Sequence, residues 1–167
     1  MAGVSPTAPY RHFASREALL AAVLVVGFKD FAKDLDAARR THTDEVEALV
    51  AAGLALVLFA AEHPLLYRLM FGVECDKLAH PELLEAGQEG LQVLVDAVIA
   101  CKAAGLLGDE SVEQVVLTSW SLVHGFASLY IDGALKAVMP IMHLRKTADA
   151  LIRVAVYGAL PNARAAG

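Results

Sequence analysis

The side chains able to bind a metal ion are few and are scattered along the chain. None of the six histidines, at positions 12, 42, 63, 80, 124 and 143, lies three or four residues from another, the spacing that places two ligands on one face of a helix. Cys75, Asp76 and His80 form a close group, for which a solvated loop is the favoured interpretation. The sequence therefore predicts no metal site and no cofactor.

The sequence contains no recognisable catalytic motif. Acidic residues and histidines occur, but without a nucleophile elbow, a phosphate-binding loop or a metal-ligand spacing. The two cysteines, Cys75 and Cys101, form no CxxC pair, and the first residues lack the pattern of a signal peptide. We expect a non-enzymatic protein of the reducing cytoplasm, with two free thiols.

The polar residues at the front of the chain have the types that contact DNA. Gly3 suits a turn, and Ser5 with Pro6 suits the start of a short helix that ends at Phe13. Such a helix is what the second half of a helix-turn-helix requires, although the spacing alone also fits an ordinary helical corner. The candidate DNA contacts are Ser5, Thr7, Tyr10, Arg11, His12 and Arg16.

The charge distribution agrees weakly with a DNA contact at this end. Residues 1–40 hold six Lys or Arg and four Asp or Glu, a balance of +2, whereas residues 41–167 hold eight and fifteen, a balance of −7. A basic end on an acidic chain suits an anionic partner. An ordinary solvated end remains the alternative.

The elements that position these residues are predicted to be helices throughout. No segment alternates strictly between apolar and polar residues, as a half-buried strand does, and helical periods dominate. The predicted helices cover residues 15–40, 43–63, 65–71, 82–107, 111–135 and 146–160. The fold class is therefore all-α.

The composition favours an oligomer. Apolar residues make up 57% of the 167 residues, the net charge is −5 and the mean hydropathy is +0.51, which excludes intrinsic disorder. The longest apolar run, residues 48–61, has fourteen residues, fewer than the roughly 20 that a membrane-spanning helix needs. We expect a second subunit, rather than a membrane, to cover the apolar excess.

The predicted helix 111–135 is apolar on two sides, which indicates burial on both. Ser121, Gly125 and Ser128 form a narrow stripe of small residues between these sides. Small residues let a partner backbone approach closely, and a homodimer is the usual closed assembly. A central helix surrounded by its own chain is the alternative.

Two segments carry a specific family resemblance. Residues 3–20, GVSPTAPYRHFASREALL, closely resemble the TetR (tetracycline-repressor-like) family of bacterial transcription regulators at its Gly-Val-Ser turn, Tyr-x-x-Phe helix and Arg-Glu/Leu-Leu segment. Residues 62–71, EHPLLYRLMF, and Trp120-x-x-x-His124-Gly125 resemble the C-terminal domain of the TetR subgroup with a Trp-His-Gly signature. Together these similarities extend over nearly the whole chain.

The resemblance implies a TetR-like helical bundle with two parts. Residues 1–40 would be the remaining part of a helix-turn-helix domain, and residues 41–167 a ligand-binding and dimerisation domain. In this family the last two long helices form a four-helix dimer interface. The implied interface residues are Ser121, Gly125, Ser128, Leu151, Val154 and Tyr157.

The candidate effector pocket consists of aromatic and methionine side chains with a few polar groups, the usual lining of a small-molecule cavity. Its candidate residues are Phe59, Tyr67, Met70, Phe71, Trp120, His124 and Tyr130. For each of them an ordinary core position is the alternative. His124 fits either a hydrogen bond to an effector or a position at the dimer interface beside Gly125.

The sequence departs from the family pattern at its start. Family members place two helices before the Gly-Val-Ser turn, whereas this chain begins two residues before it. We expect that the start codon is misplaced or the chain truncated, so that it lacks full DNA-binding competence; a genuinely short form with lost or altered DNA binding is the alternative.

The expected function is that of a dimeric repressor that binds operator DNA, if the N-terminal helices are present, and is released by a small, largely apolar effector. A helical protein that binds a small ligand and dimerises without binding DNA is the alternative function.

Overall fold

Seven α-helices follow one another in the part of the chain that the computed structural model describes, residues 13–139 and 143–158. They are α1 (Arg16–Arg39), α2 (Glu45–Glu62), α3 (Pro64–Phe71), α4 (Pro81–Ala103), α5 (Val112–Ile131), α6 (Ala134–Val138) and α7 (Leu144–Gly158). A 3₁₀ turn, Lys77–Ala79, precedes α4, and these described ranges contain no strand. The prediction of an all-α fold is confirmed.

Short-range side-chain interactions explain where the helices begin. The Ser15 hydroxyl accepts a hydrogen bond from the backbone N–H of Ala18 at 3.0 Å and caps α1. At α5, Ser111 and Gln114 form a capping box in which each side chain accepts from the other residue's backbone N–H. Proline occupies the first turn of α3 and of α4, where its missing N–H has no cost.

The structure divides the last predicted helices differently. The helix expected over 111–135 ends at Ile131 because Gly133 adopts a left-handed conformation with φ of 78°, after which α6 begins. Helix α7 begins at Leu144, two residues before the predicted start, and is described to Gly158. The predicted recognition helix 6–13 lies outside the described residues except for Phe13.

Helices α1, α2, α4 and α5 enclose most of the core. Helix α1 packs mainly on α4 and α2, and the other side of α2 packs on α5 and α7. The largest fully buried side chains come from four helices: Leu24, Leu49, Val57, Tyr67, Met70, Leu83, Val98 and Cys101.

Two ion pairs hold α7 and α3 to the rest of the bundle. The Arg153 guanidinium donates two hydrogen bonds to the Glu47 carboxylate, at 2.6 and 2.8 Å, and so joins α7 to the start of α2. Arg68 on α3 donates to Asp132 at 2.7 Å, just after the end of α5. The bidentate geometry of the first pair adds directional specificity.

None of the described helices by itself has the length and hydropathy of a membrane span. Helices α2 and α3 reach that threshold only when counted together across a bend of 111°.

Candidate effector cavity and subunit surface

A cavity of about 220 Å³ lies between α1, α4 and the middle of α5. Its lining is almost entirely apolar. The lining residues are Phe28, Phe31, Leu35, Leu56, Phe71, Lys77, Leu83, Leu84, Gly87, Gln88, Gly90, Leu91, Leu94 and Trp120. For comparison, an apolar cavity of roughly 150 Å³ holds benzene, so this one has room for a somewhat larger hydrocarbon.

Aromatic residues of α1 and α3 make one wall of the cavity. Phe28 and Phe31 are three residues apart and therefore share the buried side of α1. The ring of Phe71 meets both edge-on, with centroids 5.5 and 6.0 Å away, and Phe31 also packs against Phe59 at 5.3 Å. These edge-to-face contacts hold the rings in defined orientations.

Two glycines of α4 leave room opposite that wall. A Cβ added at Gly87 would lie 3.8 Å from the nearest atom of Phe28, which is ordinary contact. At Gly90 the added Cβ would lie only 2.9 Å from Cδ1 of Phe31. The absence of a side chain at Gly90 is therefore what lets α4 approach the aromatic wall so closely.

Few polar groups reach the cavity. Lys77, which is half-buried, is the single charged residue in the part of the lining that the structure describes, and its ammonium group donates to the carbonyl of Gly72 at 3.5 Å. Gln88 is exposed. The indole N–H of Trp120 has no hydrogen-bond partner among the described residues and is not buried, so solvent can reach it.

Trp120 also borders a second, smaller cavity of about 30 Å³. Leu35, Leu56 and Leu94 line both cavities, while Ile152 and Val156 of α7 line only the smaller one. A change in the position of Trp120 would therefore alter its packing against α7 as well as against α4.

Buried Tyr67 and half-buried His124 form a hydrogen-bonded pair beside the cavity. The Tyr67 hydroxyl lies 2.7 Å from Nδ1 of His124, and both rings pack against Phe71. Burial lowers the pKa of His124 below its usual value and raises the pKa of Tyr67, because a low-dielectric environment disfavours the charged form of each. A neutral imidazole can thus accept the phenol proton in this hydrogen bond.

The predicted pocket residues do not all meet in one place. Phe71 and Trp120 line the cavity, whereas Phe59 and Met70 are buried core residues. Tyr67 and His124 border a separate, open cleft that also includes Ser128 and Asp132. Tyr130 is half-exposed and lines none of the cavities described above.

Sequence reasoning missed most of the cavity wall. Phe28 did carry a signal, because it lies in the periodic apolar pattern of α1, whereas Phe31 and the two glycines of α4 were not predicted. That pattern shows which residues face inward but not which helix they face. The approach of α4 to α1 is a tertiary feature.

The predicted interface residues lie on an outward face of α5 and α7. Ser121 is exposed and Gly125 and Ser128 are half-buried, and a Cβ added at Gly125 would meet nothing within 4 Å. On α7, Val154 is 75% exposed and Tyr157 is 43% exposed, while Leu151 is half-buried.

Further apolar side chains extend this surface. Leu117 is 61% exposed and Leu129 is 49% exposed, on either side of the small residues of α5. Contiguous exposed apolar patches on proteins are commonly interaction surfaces. We call Leu117, Ser121, Gly125, Ser128, Leu129, Val154 and Tyr157 the α5/α7 face.

Of the predicted DNA contacts, only Arg16 is described. It is exposed at the first position of α1, next to the capping residue Ser15. Ser5, Thr7, Tyr10, Arg11 and His12 lie outside the described residues.

Comparison with known proteins defines the class of this fold. The family profile described as "Tetracyclin repressor-like, C-terminal domain" matches residues 49–155. The chain therefore belongs to the tetracycline-repressor-like (TetR) family, whose members regulate transcription.

Two solved structures are similar over nearly the whole chain. A protein of unknown function from Rhodococcus sp. RHA1 has a TM-score of 0.81 and 28% identity, covering 95% of this chain and 80% of that one. The TetR family transcriptional regulator PfmR from Thermus thermophilus has a TM-score of 0.71 and 18% identity, covering 92% of this chain and 82% of that one. The second similarity shows the TetR-like fold. Comparison with functionally curated proteins gave no significant match.

Proposed function

We propose that this chain is the sensing and dimerising part of a cytoplasmic transcriptional repressor, which binds operator DNA as a homodimer and is released by a small apolar effector. The observation that carries the proposal is the apolar cavity between α1, α4 and α5. A cavity of this kind in a helical bundle is the default binding site for a small molecule. Family membership supplies the regulatory context.

The chemistry of the lining supports an apolar effector. A pocket for a strongly anionic ligand would carry paired cations, whereas the described residues of this lining include a single lysine and no arginine. Burying a charge without a paired partner costs several kcal/mol. The effector is therefore a hydrocarbon-like compound of about nine heavy atoms, since a cavity of roughly 150 Å³ binds the six of benzene and this one has about 220 Å³.

The α5/α7 face supports dimerisation. It combines three exposed apolar side chains, Leu117, Leu129 and Val154, with a stripe of small residues on α5, so that a second copy could pack its own backbone closely against Gly125. A two-fold axis would pair each helix with its equivalent, which is the usual closed arrangement.

Helix α1 supports a mechanical link between effector and DNA. It carries Phe28 and Phe31 in the cavity wall and begins at Arg16, next to the segment that resembles the recognition helix. DNA requires two recognition helices about 34–36 Å apart, so an effector that favours another spacing weakens binding. A coupling of about 1–3 kcal/mol would change the affinity some 5–150-fold.

The effector proposal can be tested by fluorescence, because Trp120 is the single tryptophan of the chain and lines the cavity. The full chain would be titrated with isopropylbenzene and, separately, with benzoate, which has the same number of heavy atoms but carries a charge. We expect a saturable change in emission with isopropylbenzene and at least about tenfold weaker binding of benzoate. Equal or tighter binding of benzoate, or no saturable change with either, would contradict an apolar effector site.

The DNA-binding proposal needs a separate comparison. The 167-residue chain and a version extended upstream in the same reading frame would each be used to select operators from random DNA at one salt concentration, since salt alone changes affinity greatly. We expect specific binding by the extended version and weak binding by the chain without the extension. If neither selects a sequence, the alternative of a ligand-binding protein without DNA binding replaces the repressor.

A further inference from the structure

Three side chains with metal-binding atoms meet where α1 begins. Glu17 lies in the first turn of α1, while Cys75 and His80 flank the 3₁₀ turn that precedes α4. Their ligand atoms all lie within 4.8 Å of one another. Nε2 of His80 is 3.7 Å from Oε1 of Glu17.

One hydrogen bond, from a backbone N–H to a carboxylate, joins the two segments at this point. The Asp76 N–H donates to Oε1 of Glu17 at 3.4 Å, and the Asp76 carboxylate accepts from the N–H of Leu78 at 3.0 Å. Asp76 is therefore engaged in forming the turn. Its neighbours Cys75 and His80 remain directed toward Glu17.

The separations suit a tetrahedral ion. Zinc bonds of roughly 2.0–2.3 Å place neighbouring tetrahedral ligand atoms about 3.3–3.8 Å apart. The pair formed by His80 and Glu17 already has this separation. The other two pairs of ligand atoms would have to move closer by at most about 1.5 Å to reach the tetrahedral spacing. Side-chain rotation can supply this movement, because Glu17 is exposed and His80 is half-buried.

The donor types select the metal. A thiolate and an imidazole prefer zinc-class ions, whereas magnesium and calcium prefer oxygen ligands throughout. One thiolate, one carboxylate and a neutral imidazole carry two negative charges, which a divalent ion neutralises. Cys75 is 6% exposed, so the ion would have a dry side and an open side at Glu17.

We propose that Glu17, Cys75 and His80 bind one divalent ion of the zinc class, with a water molecule at the fourth position. This departs from the sequence analysis, which considered only Cys75, Asp76 and His80 and predicted no metal. The third ligand comes from α1, a part of the chain too distant for any local spacing to indicate it.

The site would connect the cavity to the DNA-binding side. The turn between Cys75 and His80 carries Lys77 into the cavity lining, and Glu17 follows Ser15 and Arg16 at the start of α1. A bound ion would fasten these two segments together. A regulatory role for the bound ion rests on the proposed function, whereas the binding of the ion is independent of that function.

Metal titration of the purified, chelator-treated full chain tests the proposal. Cd²⁺ would be followed by its thiolate-to-metal ultraviolet absorption, and Zn²⁺ affinity by competition with a chromophoric chelator. We expect one ion per chain. Cys75→Ser should abolish the Cd²⁺ band, and His80→Gln and Glu17→Gln should weaken Zn²⁺ binding by about 100-fold or more, because loss of even a supporting residue costs 10–100-fold.

Two matched variants serve as controls. Cys101 is fully buried and donates to the carbonyl of Glu45, so Cys101→Ala should keep both the band and the affinity; His143, which is exposed, should likewise tolerate replacement by Gln.

Glu17 lies on the surface, so the Glu17→Gln variant still tests the site if Cys75→Ser fails to fold. The proposal is overturned if the wild-type chain binds no stoichiometric ion, or if the Cd²⁺ band depends on Cys101 rather than on Cys75. Loss of ion binding would leave the isopropylbenzene titration unchanged, so the two proposals fail independently.

Discussion

The two glycines of α4 that face the aromatic wall should respond in opposite ways to the same substitution. In a helix interior, alanine is more favourable than glycine by about 1 kcal/mol. At Gly87 the new Cβ meets Phe28 at 3.8–4.0 Å, which costs nothing. Gly87→Ala should therefore raise the free energy of unfolding by about 0.5–1 kcal/mol.

At Gly90 the same methyl group meets a ring that packs against two other aromatic side chains. It would lie 2.9 Å from Cδ1 and 3.2 Å from Cε1 of Phe31, and this ring is held by Phe59 and Phe71 on its other sides. Overpacking of this kind costs about 1–3 kcal/mol. After the gain in helix propensity, Gly90→Ala should be between neutral and about 2 kcal/mol less stable than the wild type.

The assay is urea unfolding of both variants at one temperature and one protein concentration, because dimerisation makes the apparent stability depend on concentration. The expected difference between the two variants is about 1–3 kcal/mol, with Gly87→Ala the more stable. If Gly90→Ala were as stable as Gly87→Ala, Phe31 would not be confined, and the cavity wall would not have the rigidity described above.

Three further substitutions test the subunit surface and two polar contacts. A Cβ added at Gly125 meets no described atom within 4 Å, so Gly125→Leu should leave a folded protomer but dissociate the dimer in sedimentation experiments. The control Glu89→Leu on α4 should not dissociate it, and a Gly125→Leu variant that remains dimeric would exclude the α5/α7 face. Burial lowers the pKa of His124, so on acidification the imidazole is protonated in the unfolded chain before it is protonated in the folded one. The free energy of unfolding should therefore fall as the pH drops below about 6.5. His124→Asn should flatten this pH dependence, and an unchanged pH dependence would show that another group causes it. Arg153→Met removes the bidentate pair with Glu47, whose side chains are each 33% exposed, and should cost about 1 kcal/mol. Because Arg153 lowers the pKa of Glu47 from its usual 4.5, this difference should be complete above that pH and disappear as the pH falls through the lowered value; a difference independent of pH would contradict the ion pair.

The helices and several of their boundaries could be predicted because their causes are local. Ser15 and Ser111 cap the helices that follow them, and Pro64 separates α2 from α3, all within one turn of sequence. The end of α5 at Ile131 was missed because Gly133 was interpreted as part of the helix, whereas it adopts a left-handed conformation.

The cavity and the metal-ligand cluster could not be predicted in the same way. Trp120 and Phe71 were singled out by residue type, but their partners Phe28 and Gly87 belong to helices whose contact is fixed only by the packing of the whole bundle. Glu17 reaches Cys75 for the same reason. Periodicity identifies a buried face, and it does not identify the element that covers it.

A crystal structure of the full chain grown with isopropylbenzene would test the effector site most directly. We predict ligand density between α1, α4 and α5, in contact with Phe71 and Trp120, in a two-fold dimer joined through α5 and α7. A cavity without ligand at saturating isopropylbenzene, or a ligand bound only outside these three helices, would contradict the proposed sensor.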